Sequence, residues 1–266
     1  MLKIVFLSSI LFSIHLLSQP KAKAEVFLLE PEESIHKVAL VISLEKDWHV
    51  YWLNSGDSGI PTEITWKFPD GFSVSKTDWQ VPDLFEADGF ISYGYSDTVL
   101  FIYELWKKSE LTSDEFTIEI KSLICNNICI PFDTTITFNL EKNKLPVFPN
   151  SKLEIVNRYN RNLPIRNHNL QLKAKKNDLN VTLFIKIDSE YLSDFDRILF
   201  IPYENGIFQN TKNQNFRLLN DIIELTINYD QFKTKDPDKL EGLLIIYKKE
   251  YDEYSKIAFE ISTKIN

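Results

Sequence analysis

The stretch EFTIEIKSLICNNICIPFDTTITFNL, residues 115–140, decides how this chain is read. Phe116, Ile118 and Ile120 alternate with polar residues, and so do Ile136, Phe138 and Leu140. A spacing of two turns one face of an extended strand toward a core. Between the runs lies Asn126-Asn127-Ile128, and asparagine tolerates the left-handed backbone that tight hairpin loops need. A β-hairpin is therefore expected, with Phe116–Ile124 and Ile130–Leu140 as arms. Cys125 and Cys129, the chain's two cysteines, then face each other at its mouth. Opposed Cα atoms of an antiparallel pair are about 4.5–5.5 Å apart, within the roughly 4.4–6.8 Å that a disulfide spans.

The same alternation recurs outward from the hairpin, in Val38/Leu40/Ile42/Leu44, Val181/Leu183/Ile185/Ile187 and Ile223/Leu225/Ile227, and the apolar run Leu243–Tyr247 adds a further strand. The pattern predicts an all-β chain of two immunoglobulin-like β-sandwich domains, over 25–143 and 168–266, joined by a short helical linker over 144–167. Periodicity alone leaves closed barrels open as an alternative. In the linker, Pro146 and Pro149 stop strand pairing, Ser151 is placed to cap a helix, and Leu153, Ile155, Val156 and Tyr159 fall at helical spacing before Pro164.

Residues 1–24 read as a signal peptide: Lys3, an apolar run from Ile4 to Leu17, and the A-x-A pattern Ala22-Lys23-Ala24 ahead of Glu25. The run is shorter than the 20 or so apolar residues a membrane span needs and is broken by His15. The expectation is a soluble periplasmic protein with no span of its own after cleavage. A formal charge of −8, more negative once Lys3, Lys21 and Lys23 are removed, opposes binding to nucleic acid.

All five tryptophans (Trp48, Trp52, Trp66, Trp79, Trp106), both cysteines and most glycines lie in the first domain. Function is therefore sought there. The cysteines admit three readings. As a staple, a five-residue loop gives only about 2 kcal/mol, little for a protein with two substantial cores. As a metal site, two thiolates want further ligands, but past the leader the chain offers only His36, His49 and His168 and no methionine. As a redox pair, a short exchangeable loop in an exported compartment suits thiol–disulfide chemistry.

The blocks WHVYWLNSGDSGIPTEITW (48–66), WQVPDLFEADGFISYGYSDTVLF (79–101) and CNNICIP (125–131) resemble, in that order, the N-terminal periplasmic domain of the thiol:disulfide interchange protein DsbD, particularly its form in the copper-tolerance protein ScsB. That resemblance implies an immunoglobulin-like domain that collects electrons from a membrane-embedded donor and passes them to oxidised periplasmic proteins, without a cofactor. It makes Cys125 and Cys129 the redox pair, with Cys129, followed by Ile130-Pro131, forming the mixed disulfide and Cys125 resolving it. It offers Phe85 as the cap that shields the bond, and places His49 and Tyr51 beside it.

Asp83, Glu86 and Asp88 are candidates for a carboxylate near the thiols; Asn54, Gly56, Asp57 and Gly59 read as a turn. The membrane module and thioredoxin-like domain of full family members are missing from this sequence, so a separately encoded donor is expected. The rival reading is a two-module binding or assembly protein whose disulfide only closes a hairpin.

Overall fold

The computed structural model describes residues 21–31, 35–108, 114–140, 145–166, 169–186, 195–250 and 253–266. The apolar run of the leader and His168 lie outside them. The described residues are all-β apart from one short α-helix and a 3₁₀ turn.

The first half forms β1 (Ala22–Pro31), β2 (Ile35–Leu44), β3 (His49–Gly56), β4 (Glu63–Lys67), β5 (Phe72–Val74) and β6 (Asp83–Ala87). It continues through β7 (Phe90–Ser96), β8 (Thr98–Lys107), β9 (Glu115–Lys121), β10 (Leu123–Cys125), β11 (Cys129–Pro131) and β12 (Thr134–Asn139). Three sheets result, ordered β1-β2-β8-β5, β11-β10-β3-β7-β6 and β12-β9-β4. The expected hairpin is present, but each arm divides. Ile118 pairs with Ile136 in the β12-β9-β4 sheet, while Ile124 pairs with Val50 in the sheet of β3. Buried Ser122 sits at the break, where its hydroxyl and that of Thr62 are 2.6 Å apart.

A 3₁₀ turn (Asn150–Lys152) leads into α1 (Leu153–Arg161). Ser151 lies inside that turn; Lys152 is the N-cap and no side chain caps the helix. Nor is α1 merely a connector. Ile155, Val156 and Tyr159 pack with Phe27, Ala39, Val41 and Leu100 on the outer face of the β1-β2-β8 sheet. Residues 38–42 of β2 are consequently buried on both faces, where alternation predicted one.

The second half forms β13 (Gln171–Lys176), β14 (Asn180–Lys186), β15 (Phe195–Pro202), β16 (Phe216–Leu219), β17 (Ile222–Asn228), β18 (Lys239–Glu250) and β19 (Glu253–Lys264). These make the sheets β13-β14-β17-β16 and β15-β18-β19. The latter is shared between the two cores. Leu199, Ile201, Leu243, Ile245, Tyr247 and Ala258 join the first core, while Ile198, Phe200, Leu244, Ile246 and Phe259 join the second. The register Ile198↔Ile246, Leu199↔Ile245, Phe200↔Leu244 keeps each set on its own face. A strand covered on both sides reads as an unbroken apolar run, which is why LLIIY (243–247) does not alternate.

A sheet that lines both cores couples their unfolding. Leu244 is fully buried on the second-core face, so Leu244→Ala should cost about 2–5 kcal/mol. Because Trp48, Trp52, Trp66 and Trp79 lie in or against the first core, tryptophan fluorescence and far-UV circular dichroism should shift together to lower denaturant. A fluorescence transition left at its wild-type midpoint would show that the sandwiches unfold independently.

Candidate functional site

The site is built where β3 runs between β10 and β7. Cys125 is paired with Cys129 on one side and with His49 on the other, and His49 faces Ser96 of β7. Asn126 N–H donates to the Ile128 carbonyl at 3.0 Å and closes the three-residue loop. The two cysteines form a disulfide with Cα atoms 4.2 Å apart. Their exposure differs sharply: Cys125 is buried, at 2% of its surface, whereas Cys129 is exposed at the edge of the sheet. Ile128, beside Cys129, is 65% exposed.

Three rings line the inner side. The Tyr51 hydroxyl donates to Cys125 Sγ at 3.1 Å and lies 3.8 Å from Cys129 Sγ. His49 meets Tyr51 edge-on, with centroids 5.2 Å apart, and Phe85 of β6 stacks on His49 at 4.3 Å and 15°. Phe85 is half-buried, so the stack lies at the surface rather than within the core. Alternation still holds beneath it: Trp48, Val50 and Trp52 enter the core. Tyr51 is buried too, at 3%, because the loop after β3 folds back over its ring.

Electrostatics favour neutral rings beside the bond. Burial lowers the His49 pKa, so the imidazole is uncharged at neutral pH. Burial raises that of Tyr51, against the opposing effect of its hydrogen bond with Ser58. The phenol therefore keeps its proton and remains a donor to sulfur.

Asp83 and Glu86 flank Leu84 and Phe85, but their carboxylates meet the second sandwich: Lys256 Nζ is 3.0 Å from Asp83 Oδ1 and Lys212 Nζ is 2.5 Å from Glu86 Oε2. Asp88 occupies a left-handed turn position, φ 52°, between β6 and β7. Asn54 and Gly56, read as a turn, are instead the last part of β3, and the turn starts at Asp57; all three also reach across. Asn54 Nδ2 donates to the Pro202 carbonyl at 2.7 Å, Asn205 Nδ2 to the Gly56 carbonyl at 2.5 Å, and Asn210 Nδ2 to Asp57 Oδ1 at 2.8 Å. Among the described residues, no group of three or more His, Cys, Asp or Glu side chains is arranged to hold a metal.

Gly59 is the residue whose role at the site the sequence did not disclose. Its φ is +86°, and a Cβ there would lie 2.1 Å from Tyr51 Cζ. The glycine lets the loop close flat against the ring and aim the hydroxyl at Cys125. In the sequence the only trace is one glycine among several in a turn-rich segment.

The five-stranded sheet with its disulfide-closed edge hairpin defines an immunoglobulin-like domain in architecture. Comparison with known proteins agrees. Residues 16–141 match the family "Thiol:disulfide interchange protein DsbD, N-terminal", and this part of the chain is a DsbD N-terminal-like domain. The crystal structure of the N-terminal periplasmic domain of ScsB from Proteus mirabilis superposes with a TM-score of 0.62 at 18% identity, covering 91% of this chain and 92% of that one. The likeness thus extends over both sandwiches.

A conserved domain protein from Bacillus anthracis (6% identity, 93% of this chain and 88% of that one) and the Actinomyces fimbrial adhesin FimA (8%, 92% and 100%) give TM-scores of 0.21 and 0.20, too low to indicate a common fold. No curated protein sequence matches the chain. Among the described residues, no helix is long and apolar enough to cross a membrane.

If Gly59 positions Tyr51, Gly59→Ala should behave as Tyr51→Phe does. In the reduced protein, loss of the hydroxyl donor removes a hydrogen bond that favours the thiolate, so the Cys125 pKa rises. The pH dependence of iodoacetamide alkylation, read on Cys125 in a Cys129→Ser background, should shift upward in both variants. A shift in Tyr51→Phe alone would show that the ring tolerates the added methyl.

Proposed function

We propose that this chain is an exported thiol:disulfide exchange protein. It relays electrons from a membrane-embedded donor to oxidised periplasmic proteins through Cys125 and Cys129. The observation that carries this reading is the asymmetry of the bond: one sulfur exposed at a sheet edge, the other buried with a phenolic donor at 3.1 Å.

The chemistry follows from that asymmetry. Once the partner has docked, a thiolate of the reduced donor attacks Cys129 Sγ, the more exposed of the two sulfurs; a new intermolecular S–S bond forms, the Cys125–Cys129 bond breaks, and its electron pair leaves on Cys125 as a thiolate. Tyr51 donates to that leaving sulfur, and a hydrogen bond to the charged form lowers its basicity. The donor's second thiolate then attacks its own sulfur in the mixed disulfide, releasing Cys129 as a thiolate and leaving the donor oxidised.

Delivery runs through the same sulfurs in reverse order. Cys129 attacks the substrate disulfide, and Cys125 resolves the mixed disulfide, so two electrons pass and the protein returns to its oxidised form. Phe85, stacked on His49, is the cap that limits access to the bond until a docking partner displaces it. His49 keeps its ring in place without adding charge.

The localisation follows from the leader read in residues 1–24. Ala22–Ala24 are paired with Ile42–Leu44 in β1, so cleavage after Ala24 would shorten that strand by three pairs.

Expressed with its leader, Cys125→Ser should accumulate intermolecular disulfides through Cys129 with exported thiol proteins, visible as dithiothreitol-sensitive adducts on non-reducing gels. Cys129→Ser should give far fewer, because its remaining sulfur is buried. Equal yields from both variants, or none from either, would contradict the relay.

A further inference from the structure

The cap strand β6 is the outermost strand of its sheet, held by hydrogen bonds to β7 alone. Leu84 packs against the first core and Phe85 stacks on His49, while the carboxylates at the strand's two ends are paired with the second sandwich. Lys256 Nζ lies 3.0 Å from Asp83 Oδ1 and 3.3 Å from the Pro82 carbonyl. Lys212 Nζ lies 2.5 Å from Glu86 Oε2. The two carboxylates bracket Leu84 and Phe85, so the cap side chain sits between two fastened points.

Both lysines stand on firm ground. Lys256 is in β19, opposite Tyr247 of the shared sheet, and its side chain is only 24% exposed. The Lys212 carbonyl accepts from Arg197 at 3.4 Å, and that guanidinium lies 3.7 Å from the Tyr247 ring centroid. The neighbouring Asn205 and Asn210 hold the loop that seats Tyr51.

We propose that Lys212 and Lys256 are positioning residues for the exchange reaction: from the second sandwich, they hold β6, and with it Phe85 stacked on His49 beside Cys125. The inference rests on the reading of Phe85 as the cap. It assigns the second sandwich a part in the chemistry, as the anchor of the cover. Exposed ion pairs are individually weak, which suits a fastening that must release when a partner docks. Losing both should raise the open population, and with it the rate of attack on Cys129, by a factor of about 3–10.

The test uses the full chain in its oxidised form, with Lys212→Gln, Lys256→Gln, the double variant and Phe85→Ala, and reads the second-order rate of reduction by dithiothreitol. The double variant should react about 3–10-fold faster than wild type. The ratio should shrink toward one between low and molar NaCl as wild-type pairs are screened. Removing two positive charges would by itself slow an anionic thiolate, so a faster reaction cannot be a bulk charge effect.

Exchanging the charges, with Asp83→Lys and Lys256→Asp together, should restore the wild-type rate, which a purely structural role for Lys256 would not do. If Phe85→Ala speeds reduction while the double lysine variant, folded by circular dichroism, stays within twofold of wild type, the clamp is wrong and the cap stands. Should Phe85→Ala itself change nothing, the cap reading fails and takes the clamp with it.

Discussion

The site depends on one strand register: Cys125 opposite Cys129 on β11 and opposite His49 on β3. Side chains alternate across a sheet, so a slip of one residue would exchange every inward and outward position. In the observed register Cys125 is buried against Tyr51 while Cys129 stays at the open edge. The same pairing lines up His49 with Phe85 of β6. Reactive asymmetry is thus a consequence of backbone pairing, and the residues around it refine what the register has set.

The register is secured from outside the hairpin. Ile124 pairs with Val50, whose neighbours Trp48 and Trp52 anchor β3 in the first core. That core in turn includes one face of β15, β18 and β19. The second sandwich is therefore bound to the first through apolar burial as well as through the polar contacts of Asn54, Asp57, Asp83 and Glu86. A disulfide so placed adds little to stability by closing its short loop, and the packing around it has no need of a staple.

Much of this was legible in the residues. Period-two patterns gave the all-β class, the asparagine-rich loop gave the hairpin, and the spacing of Cys125 and Cys129 gave a bond. The division of each arm at Ser122 was not visible, because alternation continues on both sides while the sheet partner changes. Burial of Ala39 and Val41 was missed because α1 covers a face that alternation alone leaves to solvent. His49, Tyr51 and Phe85 were placed by resemblance, since a ring on a strand looks the same whether it faces sulfur or water. Gly59 and the lysine partners of Asp83 and Glu86 lay beyond local reading: the ion pairs join residues 173 and 126 positions apart, and no spacing rule reports such meetings.

The most direct test is the equilibrium reduction potential of the Cys125–Cys129 couple in the full chain, measured against glutathione or dithiothreitol redox buffers. A bond meant to be opened and closed by visiting thiols should have a potential above about −300 mV, in the range of working dithiol proteins. A value well below that would make the bond a permanent structural link and contradict the account.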